Sequence, residues 1–98
     1  GRAARGPLRV AYAQVSGETP GLACVGYAVG RRHGNAVTRN RLRRRLRAVA
    51  REVEAAGGLA PGAYLVSARP EATALDTRAL RTAFEAATRA ATSSGGAP

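Results

Sequence analysis

The residues with chemistry to offer cluster between Gly30 and Glu52, in GRRHGNAVTRNRLRRRLRAVARE, where nine arginines face one glutamate. On a helix turning about 100° per residue, Asn40, Arg43, Arg44, Arg47 and Arg51 share one sector of about 100°. Leu42, Leu46, Val49 and Val53 fall within roughly 60° of one another, on a stripe about 140° away from that sector. Arg41 and Arg45 flank one side and Arg39 the other, so the arginines are sorted. Arg43, Arg47 and Arg51 repeat at i, i+4, a spacing at which like charges destabilise a helix by a few tenths of a kcal/mol. Most charge runs are plain solvated faces. This run has only Glu52 and Glu54, at its far end, to offset the repulsion. A polyanion would offset it, because bound phosphates neutralise the arginines and release counterions. Asn40, able to donate and accept, suits a base edge or a 2′-hydroxyl. Gly30 to Gly34 leads into the helix N-terminus, where free N–H groups and the helix dipole favour an anion.

The rest of the chain argues for binding rather than catalysis. No paired carboxylates and no His/Cys cluster stand at catalytic or metal-ligand spacing. His33 is the single histidine, so no triad forms. Cys24, the single cysteine, sits in an apolar stretch and reads as inert core. Sixteen arginines, no lysine and six acids give the 98 residues a net charge of +10, which makes a polyanion the first partner to consider. No apolar run approaches the roughly 20 residues of a membrane span, and no secretory core opens the chain, so a cytoplasmic location is expected.

A single α+β domain over residues 1–98 can position these groups. Residues 1–7 read as a flexible lead-in. Leu8–Val15 reads as a strand with Leu8, Val10 and Tyr12 on one face. SGETPG is a loop. Ala23–Val29 reads as a central strand with little solvent on either side. Asn35 caps a long helix that stops at Gly57-Gly58. Ala63–Ala68 is a third strand. Asp76 caps a second helix to about Ala91, with Leu80, Ala83, Phe84, Ala87 and Ala91 on its buried side. Residues 92–98 read as a disordered tail. The order β-β-α-β-α implies a small mixed sheet packed by helices. A right-handed crossover would be the default.

GNAVTRNRLRRRLR, Gly34 to Arg47, resembles the signature of the bacterial ribonuclease P protein subunit, in which Gly-Asn-Ala-Val precedes Arg-Asn-Arg and further basic residues. VGYAVGRR matches the preceding strand and its basic end, and YLVSARP the later strand ending Ala-Arg. The resemblance implies an accessory subunit of a ribonucleoprotein endoribonuclease whose RNA carries the catalysis and holds Mg2+. The chain alone would be inert. Its implied partners are the ribonuclease P RNA and precursor tRNA, with no membrane and no obligate protein partner. Arg39, Asn40, Arg41, Arg43, Arg44, Arg47 and Arg31 would contact the catalytic RNA, while Tyr12 and Arg32 would meet the single-stranded 5′ leader. Tyr12 reads equally as a core or edge tyrosine, and Tyr27 as core. The family's crossover is left-handed. Its members begin with a helix carrying leader-binding phenylalanines, which is expected to precede Gly1 and is missing from this sequence. A ribosomal or other structured-RNA protein without a role in cleavage is the alternative reading.

Overall fold

Alternation in LRVAYA builds the strand on which the sheet is assembled: Leu8 and Val10 are buried while Arg9 is exposed. The computed structural model describes residues 1–14, 23–30 and 34–95. In chain order the elements are β1 (Arg2–Arg5), β2 (Leu8–Ala13), β3 (Ala23–Ala28), α1 (Ala36–Ala55), β4 (Gly62–Ala68), a 3-10 turn (Pro70–Ala74) and α2 (Thr77–Gly95). The strands lie in the order β1-β2-β4-β3. β1 and β4 each pair antiparallel with β2, and β3 pairs parallel with β4, so α1 is the crossover between two neighbouring strands. The expected α+β architecture holds, with one further strand. The loop SGETPG lies outside the described residues.

Three expectations are corrected. Residues 1–7 are not a flexible lead-in: Arg2–Arg5 pairs with β2 across the Gly6-Pro7 turn. The Gly1 amine donates to the Tyr12 carbonyl at 2.7 Å, and the Tyr12 amide donates to the Gly1 carbonyl at 2.7 Å. RAAR carries no apolar alternation, so this strand is created by its partner and by α2 packed across it. Secondly, β3 is an edge strand rather than a central one. β4 inserts between β2 and β3, and Cys24, Gly26 and Ala28 are exposed. Cys24 is therefore an exposed thiol and not inert core. Thirdly, α2 continues past Ala91 to Gly95, with the Thr92 hydroxyl donating to the Thr88 carbonyl at 3.0 Å, so helix replaces the expected tail there. Residues 96–98 lie outside the described residues.

Both helices cover one face of the sheet. Leu8, Val10, Tyr64 and Val66 meet Leu42, Leu46, Val49 and Val53 from α1 and Leu80, Phe84, Ala87 and Ala91 from α2. Burying this apolar set supplies the driving force, at roughly 25 cal/mol per Å² removed from water. The stripe predicted on the arginine-rich helix is thus its anchor. Asp76 caps α2 as expected, accepting from the Ala79 amide at 2.7 Å. Arg81 on α2 pairs with Glu85 at 2.7 Å and reaches Glu52 of α1 at 3.3 Å, which ties the two helices at the surface. Among the described residues no helix is long and apolar enough to cross a membrane.

Candidate nucleic-acid interface

The start of α1 is set by a local device. Asn35 is extended at φ −75° and ψ 176°, and its side chain accepts from the Thr38 amide at 3.0 Å. Gly34 before it has φ +108°, a conformation that L side chains rarely adopt, and a Cβ there would sit 3.4 Å from Thr38 Cβ. The Gly34-Asn35 pair therefore fixes where the helix begins, and so which residues face outwards. At the other end the Gly57 amide donates to the Glu54 carbonyl at 2.9 Å and the Gly58 amide to the Val53 carbonyl at 2.8 Å.

Between these stops, Asn40, Arg43, Arg44 and Arg47 line one open hollow of about 380 Å³. Within it Arg43 is an organiser. Its Nη1 donates to Asn40 Oδ1 at 3.0 Å and its Nη2 to the Val29 carbonyl, at the end of β3, at 3.2 Å. Asn40 is thereby left presenting its amide N–H groups, so the site is one of donors. Arg44 and Arg47 are exposed, as is Arg41 at the flank. Arg39 is half-buried, and its Nε is shielded without a hydrogen-bond partner among the described residues.

Not every predicted residue joins this hollow. Tyr12 lies on the helix-covered side of β2, its hydroxyl donating to the Pro61 carbonyl at 2.6 Å and its ring 4.9 Å from that of Tyr64. It does not line the hollow. Arg31 and Arg32, like His33, lie outside the described residues.

Three features were missed from sequence. Arg45, which the helical wheel leaves at the flank, donates to the carbonyls of Leu75 and, at 3.5 Å, Thr73, and so holds the connection between β4 and α2. Val37 is 64% exposed on the first turn of α1. Its position about 150° from the apolar stripe signals this, since helical spacing puts it beside the arginine sector. Tyr27, read as core, is half-buried in a groove of about 240 Å³ lined also by Val25, Arg47, Ala50, Arg51 and Glu54. Burial raises its pKa, opposed by the nearby charges of Arg47 and Arg51. No signal in the sequence places β3 against this part of α1.

Among the described residues, no three His, Cys, Asp or Glu side chains come together in a way that could hold a metal ion. The donor set on α1 is cationic and amide, which fits phosphates and not a divalent cation.

The fold is shared with the Staphylococcus aureus RNase P protein, at a TM-score of 0.76 and 21% identity, over 93% of this chain and 80% of that one. A mutant of the S. aureus protein with defective mRNA degradation activity matches with a TM-score of 0.78 at 21% identity, over 94% of this chain and 75% of that one. The family described as Ribonuclease P matches residues 1–92, which include all of the hollow on α1. The chain therefore belongs to the ribonuclease P family, as a bacterial-type protein subunit.

Proposed function

We propose that this chain binds the catalytic RNA of ribonuclease P and the 5′ leader of precursor tRNA, and so assists endonucleolytic removal of that leader. The observation that carries the reading is the convergence of Asn40, Arg43, Arg44 and Arg47 on one open hollow. Three guanidiniums there offer planar, paired N–H donors to phosphate oxygens. Desolvated less readily than a buried pair, they supply long-range attraction and salt-sensitive affinity. Arg39 and Arg41, on the same helix, and Arg31 are likewise assigned to the catalytic RNA. Tyr12 and Arg32 are assigned to the leader. The Tyr12 hydroxyl is occupied by Pro61, so its ring is the part left for a base.

Neutralising phosphates is what the chain contributes to the reaction. Two RNAs that must approach each other repel, and a cationic face between them lowers that cost. Mg2+ is assigned to the catalytic RNA.

The test is reconstitution with a ribonuclease P RNA, followed by precursor-tRNA cleavage at limiting magnesium. Stimulation over RNA alone is expected, together with no cleavage by the protein alone. Tight RNA binding without stimulation would instead favour a structured-RNA protein with no role in cleavage.

A further inference from the structure

We propose that the groove between β3 and the second half of α1 seats one unpaired base of an RNA strand, with Tyr27 as its stacking surface and Arg47 and Arg51 holding the adjoining phosphates. The proposal rests on the RNA-binding reading above and adds to it a site for a ring.

The composition of the groove is the first observation. Ala23, Val25, Tyr27, Ala50 and Leu59 supply an apolar lining, and Arg47, Arg51 and Glu54 the charged one. Tyr27 is the aromatic side chain in that lining. An aromatic beside two guanidiniums is the combination that binds single-stranded nucleic acid, because every base has a π-face and every nucleotide a phosphate. A volume of about 240 Å³ lies just under the roughly 300–1,000 Å³ of pockets for whole small molecules. It suits one ring. The Glu54 carboxylate disfavours a run of phosphates here, so a neutral base fits better than a stretch of backbone.

Continuity is the second observation. Arg47 lines both this groove and the hollow of Asn40, Arg43 and Arg44. A strand whose phosphates follow that arginine track reaches the groove without leaving the surface of α1. Small side chains keep it open: Ala50 faces it where a larger residue would fill it. Among the described residues β3 is an edge strand, and no further strand covers its side.

The experiment measures binding of the full chain to a fluorescent oligoadenylate and to an abasic oligonucleotide of the same length. Wild type is compared with Tyr27→Phe, Tyr27→Leu and Arg51→Gln, each checked by thermal melting. Tyr27→Phe keeps the ring and is expected to bind within about twofold of wild type. Tyr27→Leu is expected to weaken oligoadenylate binding roughly tenfold while leaving the abasic strand unchanged. Arg51→Gln is expected to lower the salt slope for both by about one contact. Equal binding by Tyr27→Leu and wild type overturns the proposal. So does an equal loss on both strands, which would mark Tyr27 as structural. A response seen only with a poly-glutamate peptide would make the groove a peptide seat and also overturn it. The same variants are assayed with the catalytic RNA. Failure of wild type to stimulate cleavage sinks the ribonuclease P reading and leaves the base test standing. Normal stimulation with no base effect sinks the groove alone.

Discussion

Arg43 donates to Asn40 Oδ1 at 3.0 Å from one nitrogen while another reaches the Val29 carbonyl at 3.2 Å. A residue that looks like a phosphate ligand is therefore also a brace between α1 and the end of β3, and it sets which end of the Asn40 amide faces outwards. Arg43→Lys keeps the charge but cannot hold both acceptors. RNA affinity is expected to fall about fivefold, the worth of a typical hydrogen bond, with an unchanged slope of log K against log salt. A titration over several salt concentrations reads both. A changed slope would mean that Arg43 acts mainly as a charge.

Replacing Arg43, Arg44 and Arg47 together by alanine removes the charges around the hollow. The salt slope of RNA binding should drop by about two to three, near one for each lost phosphate contact. If the slope stays put, that face is merely solvated.

Arg45 and Arg44 are neighbours in sequence with opposite duties. Arg45 is half-buried and holds Thr73 and Leu75, whereas Arg44 is exposed in the hollow. Arg45→Ala should destabilise the fold by about 1–2 kcal/mol through lost hydrogen bonds and packing. That corresponds to a fall in Tm of roughly 4–16 °C for a domain of this size. Arg44→Ala should stay within about 0.5 kcal/mol of wild type. Parallel calorimetric melts decide it, and equal Tm values for the two variants would contradict the assignment.

Gly62 opens β4 at φ +141°, and a Cβ there would lie 2.6 Å from Tyr12 Cε1 and 2.8 Å from the Ala13 carbonyl oxygen. Neither obstacle can move cheaply, since the Tyr12 hydroxyl is held by Pro61 and Ala13 is paired in the sheet. Gly62→Ala should cost at least about 2 kcal/mol, combining strain and overpacking. Chemical denaturation would measure it. A near-neutral result would show that β2 and β4 can part at this end.

Tyr64 gives the fold an alkaline limit. Burial and the neighbouring Tyr12 push its pKa up to about 12, against a smaller opposing effect of its bond to the Ala60 carbonyl. The unfolded chain loses this proton near pH 10 and the folded chain near 12. Between those values the folded state binds more protons, so stability is full below pH 10 and falls as pH rises through the window. Tyr64→Phe should flatten that decline, as read from Tm measured across pH 9 to 12.

Much of this was legible in the sequence because periodicity is a one-dimensional signal. The spacing of Leu42, Leu46, Val49 and Val53 fixed the buried side of α1, and with it the sector carrying Asn40, Arg43, Arg44 and Arg47. Asn35 and Asp76 announced their helices because a cap needs a short polar side chain at one position. The motif around Arg39-Asn40-Arg41 pointed to the family, which the match over residues 1–92 establishes. Other features depend on what lies alongside and carry no such signal. RAAR becomes a strand only because β2 offers an edge and α2 a roof. The apolar ACVGYA looked central, yet the crossover through α1 returns β4 to the inside and leaves β3 and Cys24 exposed. Pairing between strands is decided by chain path and burial together, and neither is written in a local pattern. The same holds for the arginines: the sequence determined that they share one side of a helix, while only tertiary contact decided that Arg45 binds Leu75, that Arg43 braces Asn40, and that Arg47 and Arg51 close on Tyr27.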